Sequence, residues 1–156
     1  MPLRKPKTLI LPDAPIDSSG SWPIGARQPT PPRVLLADDE PQLLRMLARV
    51  LRAAGFEVEA VPTANEALEL LSAIGFDVVV TDLFMPELSG ARVLAAVREL
   101  DRSLPVVVIT GAGDLRGAFA ELEDSALHFI SKPFVPQDLC QLVESLAETA
   151  RLALPA

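Results

Sequence analysis

From Arg33 onward, short apolar runs alternate five times with segments of helical spacing, and few architectures accommodate such an alternation. Val34-Leu35-Leu36-Ala37 opens the series and closes on Asp38-Asp39-Glu40-Pro41. Pro41 suits a first helical turn, and the acids before it suit a helix N-terminus. Leu43, Met46, Leu47, Val50, Leu51 and Ala54 recur at helical spacing, with Gly55 as the natural stop. Leu44 falls beside this stripe, which predicts a partly exposed apolar side chain near the acids. Phe56 to Val61 alternates as a strand exposed on one side, and Thr63 or Asn65 caps a second helix through Ile74, ended by Gly75.

The central run follows at about Asp77 to Thr81. Its unbroken Val78-Val79-Val80 predicts a strand buried on both faces, ending in an acid, Asp82. Ser89 to Leu100 reads as a third helix and Pro105 to Ile109 as a fourth, buried strand. A weaker helix over Ala112 to Glu123 is interrupted by Gly113 and Gly117. Ala126 to Ser131 makes a fifth strand, and Pro136 opens a last helix to about Leu152. The fold class this predicts is α/β, a doubly wound parallel sheet with helices on both faces.

Residues 1–32 read differently, as a Pro-rich disordered or extended tail. Prolines at 2, 6, 12, 15, 23, 29, 31 and 32, with Ser18-Ser19-Gly20-Ser21, leave no period for a helix or strand. The folded domain is expected over residues 33–152, with no effector domain after it. The chain has 156 residues, 49% of them apolar, so one packed core is within reach. No apolar run approaches the roughly 18 residues of a membrane span, and the N-terminus has no apolar segment of secretory length. A single cysteine, Cys140, excludes an internal disulfide and fits a cytoplasmic location. It falls in an apolar helical pattern, as a buried structural thiol would. His128, the only histidine, has no companion ligands for zinc. A net charge of −7 and no evident basic stripe argue against direct nucleic-acid binding.

In a parallel sheet the C-terminal strand ends share one rim, where open α/β sheets bind their ligands. Strand one delivers Asp38 and Asp39 there, strand three Asp82, strand four Thr110, and strand five Lys132-Pro133. Carboxylates crowded together repel, and a divalent cation with oxygen ligands relieves the conflict; Mg²⁺ uses one or two carboxylates with phosphate oxygens and water. A hydroxyl and an ammonium suit the remaining oxygens of a transferring phosphoryl group.

From Arg33 to Arg151 the chain resembles the receiver domain of two-component response regulators. The resemblance rests on Leu35-Leu36-Ala37-Asp38-Asp39-Glu40, Thr81-Asp82-Leu83-Phe84-Met85-Pro86-Glu87-Leu88-Ser89-Gly90, Ile109-Thr110-Gly111 and Ser131-Lys132-Pro133-Phe134. It implies a flavodoxin-like (βα)5 sheet of order 2-1-3-4-5 in a stand-alone receiver. That receiver would take phosphate from a histidine kinase or histidine phosphotransfer protein and pass the signal to a downstream protein. By the same resemblance, Asp82 is the phosphoacceptor, Asp39 a direct Mg²⁺ ligand, Asp38 a ligand mainly through water, and the Phe84 backbone carbonyl a further ligand. Lys132 and Thr110 would contact the phosphoryl oxygens, and Thr110 with Phe129 would form the switch.

Phe84, two after the acceptor, and Ala112, two after the threonine, depart from the family's more polar choices, and Glu123-Asp124-Ser125-Ala126 lacks the Gly-Ala pair usual before strand five. A haloacid-dehalogenase-type phosphatase would need a second acid where Phe84 stands. A receiver that only binds partners would lack Asp82, Lys132 or the acid pair, and all are present. The expectation is therefore a phosphoaccepting signalling module whose only chemistry is its own phosphorylation and dephosphorylation, not an enzyme acting on other substrates.

Overall fold

A computed structural model describes residues 18–19, 30–83, 85, 90–111 and 124–152. The expected tail, Phe84 and the helix expected over 112–123 therefore lie largely or wholly outside the described residues.

Five strands form one parallel sheet: β1 (Arg33–Ala37), β2 (Glu57–Val61), β3 (Val78–Asp82), β4 (Val106–Thr110) and β5 (Leu127–Ser131), in the order β2-β1-β3-β4-β5. Register sets Leu36 opposite Ala60 and Val80, and Asp82 opposite Ile109. Four helices are described: α1 (Pro41–Ala53), α2 (Ala64–Ala73), α3 (Gly90–Leu100) and α4 (Pro136–Leu152). Every residue of β3 and β4 is buried, because parallel strands with helices on both faces leave neither side to water.

Strand alternation splits the core in two. Val34, Leu36, Val78, Val80, Val107 and Ile109 face α1 and α4, while Leu35, Ala37, Val79, Val106 and Val108 face α2 and α3. Thr63 caps α2, its Oγ1 accepting from Glu66 N at 3.2 Å. α1 ends at Ala53, and Gly55 just beyond takes φ +100°, a left-handed conformation that glycine adopts without a Cβ penalty.

Two expectations need correction. Leu44 is buried, only 8% exposed, and Met46 is the exposed one at 45%. Apolar residues cover more than half the circumference of α1, so periodicity alone does not say which edge of the arc meets the sheet. The face chosen is Leu44, Leu47, Ala48 and Leu51, an i, i+3, i+4, i+7 set, with Leu43 and Val50 at its margins. The chain also carries a basic row after all: Arg45, Arg49 and Arg52 line one flank of α1. Apolar residues separate them in sequence, and only the helical turn brings them into line.

Candidate functional site

Asp38 follows β1 directly, and its N–H extends the ladder to Val61 O at 3.2 Å. That bond aims the side chain inward, and the residue is fully buried. Its Oδ1 accepts from Glu40 N at 2.8 Å, whereas Oδ2 is buried and has no hydrogen-bond partner. Burial pushes the Asp38 carboxyl above its ordinary range. The Glu40 amide opposes this, the Asp82 charge adds to it, Lys132 opposes it, and Asp39 adds to it. Asp39 is exposed at the mouth.

Asp82 ends β3 and is 5% exposed. The backbone behind it is held from two sides: Leu83 N donates to Ile109 O at 3.0 Å, and Gly90 N donates to Leu83 O at 2.9 Å. α3 can begin this close to the strand only because residue 90 is glycine. A Cβ there would run into the Asp82 carbonyl oxygen and lie 2.9 Å from Leu83 Cα. Sequence reading missed this role, although Gly90 stands in the motif and opens a helical period.

One carboxylate oxygen each from Asp38, Asp39 and Asp82 lies within 4.8 Å of the others. The site's cation is Lys132, whose Nζ is 3.4 Å from Asp82 Oδ2 and 3.9 Å from Glu40 Oε2. Lys132 is placed by its own N–H, which donates to Thr110 O at 2.7 Å, and is followed by a cis peptide to Pro133. Thr110 ends β4, buried, with its hydroxyl 3.5 Å from Ile130 O and 3.4 Å from Ser131 Oγ. Both contacts are long for O–H···O bonds, so the hydroxyl is only loosely retained on the β5 side. Phe129 is partly buried in the middle of β5, against the core on the α2 and α3 face.

The structure thus gathers Asp38, Asp39, Asp82, Lys132 and Thr110 at one rim and sets Phe129 three residues back. Phe84 lies outside the described residues. A buried carboxylate oxygen without a donor, facing two further carboxylates, fits an oxygen-seeking divalent cation. The Lys132 ammonium, 3.4 Å from Asp82 Oδ2, puts a positive charge beside that carboxylate and suits an anionic group brought to the rim.

A second polar cluster went unseen because its members are distant in sequence. Arg98 of α3 grips Asp124 with two bonds, Nε to Oδ2 at 2.5 Å and Nη2 to Oδ1 at 3.1 Å. Its Nη1 donates to Leu104 O at 2.6 Å. Asp124 Oδ1 in turn accepts from Ala126 N, just before β5.

The family description "Response regulator receiver domain" matches residues 34–144. The chain is 36% identical over 123 residues to the C4-dicarboxylate transport transcriptional regulatory protein DctD of Rhizobium meliloti, covering 79% of this chain and 27% of that protein. It is 38% identical over 117 residues to the transcriptional regulatory protein PrrA of Mycobacterium tuberculosis, covering 75% of this chain and 50% of that one. Among solved structures, a response regulator receiver protein from Sinorhizobium medicae shares 34% identity at a TM-score of 0.70, covering 77% of this chain and 97% of that one. A receiver domain protein from Clostridium thermocellum shares 29% at a TM-score of 0.71, with 79% and 99% covered.

The chain belongs to the response regulator receiver family, the signalling domains of two-component systems. It spans about a quarter to a half of the length of these curated relatives. Among the described residues, no helix is long and apolar enough to cross a membrane.

Proposed function

We propose that this domain accepts a phosphoryl group on Asp82 from a cytoplasmic histidine kinase or histidine phosphotransfer protein. The observation that carries the reading is the buried Asp82 carboxylate, 3.4 Å from the Lys132 ammonium and beside the Asp38 and Asp39 carboxylates. An Asp82 oxygen attacks phosphorus in line. The new P–O bond forms as the donor's P–N bond breaks, and its electron pair returns to the donor imidazole. Asp38, Asp39 and Asp82, with the Phe84 carbonyl, would hold Mg²⁺, which supplies charge neutralisation for the phosphoryl oxygens.

Lys132 binds one of those oxygens, and Thr110 releases its long contacts to β5 to reach another. Thr110 and Phe129 then report the new charge on the β5 side to a downstream protein. The donor docks over the rim. Met46 of α1, the helix that begins at that rim, and Val135, three residues after Lys132, are 45% and 55% exposed. The test is incubation with acetyl phosphate and Mg²⁺ followed by intact mass. A phosphoryl adduct in the native protein and none in Asp82→Asn is the expected result.

A further inference from the structure

We propose that the groove between α1 and the free edge of β2 binds an extended acidic segment of a partner protein, added to the sheet as a sixth strand. The proposal does not depend on phosphoryl chemistry at Asp82.

β2 is an outer strand of the sheet. Its Glu57 N–H donates to Pro32 O at 3.0 Å, and its Val61 carbonyl accepts from Asp38 N at 3.2 Å, so both residues face β1. Strand alternation then turns the backbone of Val58 and Ala60 outward. Only one of those outward groups is used: Val58 O accepts from Arg52 Nη2 at 3.0 Å. The Val58 N–H and both polar groups of Ala60 make no hydrogen bond among the described residues and remain available to a further strand.

Beside this edge lies a groove of about 510 Å³, lined by Leu44, Arg45, Ala48, Arg49, Arg52 and Ala60. Ala48 and Ala60 keep its floor low, and the arginines form its wall. In a chain with 21 acids against 14 basic residues, Arg45 and Arg49 nevertheless have no carboxylate partner among the described residues. Two guanidiniums without counter-charges, beside a strand edge with free donors and acceptors, define the ligand's chemistry. It carries carboxylates and an extended backbone.

Spacing narrows the choice. Arg45 and Arg49 are one helical turn apart, about 6 Å along the axis at 1.5 Å per residue. Same-face side chains of a strand are separated by about 6.6–6.8 Å. A segment with acids at alternate positions therefore matches the two arginines while its main chain pairs with Val58 and Ala60. This is β-augmentation with charge-assisted bonds setting the register.

The experiment uses the full unphosphorylated chain at low ionic strength and a short end-blocked peptide alternating glutamate and valine. Comparison probes are a peptide of the same composition with its glutamates in one block, an alternating peptide with N-methylated main-chain amides, and ATP. The alternating peptide should bind saturably and slow amide exchange at Val58 and Ala60. The double variant Arg45→Glu/Arg49→Glu should weaken it about tenfold or more, while keeping the native circular dichroism spectrum and a cooperative melting transition, which shows that it is folded. N-methylation should abolish binding. No saturable binding overturns the proposal. So does equal binding of the block peptide or the N-methylated peptide, since either leaves only undirected charge attraction. Binding of ATP in preference to the peptide would reassign the groove to a nucleotide.

Discussion

Gly90 lies directly against the backbone of Asp82, its N–H on Leu83 O at 2.9 Å and its Cα facing the Asp82 carbonyl. The start of α3 is thereby locked to the end of β3, and the rigid part behind the acceptor is main chain. Neither contact can yield to an added methyl by rotating a side chain. Gly90→Ala is expected to destabilise the fold by about 1–3 kcal/mol through overpacking. By displacing Asp82 it should also slow phosphorylation by acetyl phosphate, on the order of tenfold or more. Denaturant unfolding and the rate of adduct formation check the two effects separately. A variant of native stability and native rate would show that α3 starts with slack.

Mg²⁺ should raise the melting temperature, because a cation relieves the repulsion among Asp38, Asp39 and Asp82 and gives Asp38 Oδ2 a partner. At a hundred times its dissociation constant the gain is about 2.7 kcal/mol. Asp39→Ala should remove most of that gain while changing the metal-free protein little, since Asp39 is exposed. Melting curves across a Mg²⁺ titration decide the point, and a native curve indifferent to millimolar metal would oppose this donor set.

Met46 should govern reception of the protein donor. Met46→Glu places a charge on the exposed face of α1 without entering the core formed by Leu44, Leu47 and Leu51. Transfer from a phosphorylated kinase or phosphotransfer domain is expected to fall about tenfold, corresponding to roughly 1.4 kcal/mol of lost contact. Acetyl phosphate should act at the native rate. Parallel loss with both donors would argue against docking at this position.

The phosphorylated state should be long-lived. Hydrolysis requires a water opposite the acceptor oxygen, and the two sequence positions expected to hold it are Phe84 and Ala112, neither with a polar side-chain atom. Removing a water-orienting hydrogen bond costs about 1–3 kcal/mol, enough for a tenfold or greater slowing. Phe84→Asn combined with Ala112→Glu should shorten the lifetime and leave phosphorylation intact. Decay of phosphoprotein in Mg²⁺ after donor removal is the measurement. Decay of the native protein within seconds would contradict the expectation.

Acid should weaken the fold partly through His128. Burial in β5 pulls its imidazole below the ordinary value of 6.5; the Asp124 charge opposes this shift and Arg98 reinforces it. The unfolded chain therefore binds the proton more readily. The His128 contribution is fully present above 6.5 and is lost as pH falls from there through the lower folded value. His128→Gln should flatten the dependence of the urea midpoint between about pH 8 and pH 5. An unchanged slope would place the acid sensitivity elsewhere.

Much of this is legible in the sequence. Val78-Val79-Val80 and Val106-Val107-Val108 are unbroken because both faces of their strands are covered, and the rim residues are visible because parallel topology collects strand ends. The orientation of α1 was not legible: Leu43, Leu44, Met46, Leu47, Val50 and Leu51 offer two overlapping faces, and only packing against Val34 and Leu36 selects one. Gly90 was recognised as part of a motif but not as a contact, since a close approach depends on what lies opposite. Cys140 is half-buried, 3.8 Å from Glu144 Oε1, with its thiol pushed up to about 11. That keeps it protonated and unreactive, in line with a structural role.

The Arg98–Asp124 pair has a mechanical consequence. It clamps the entry to β5 onto α3, and Val106 N seals the same end by donating to Ala126 O at 2.9 Å. At the opposite end, the Thr110 side chain reaches β5 only through contacts of 3.4 and 3.5 Å. The main chain is held at this end too, by Lys132 N on Thr110 O at 2.7 Å, so the part free to move is the Thr110 side chain and not the strand. β5 is therefore a fixed rail, paired with β4 from Leu127 to Ser131, and the play at its rim end belongs to one hydroxyl.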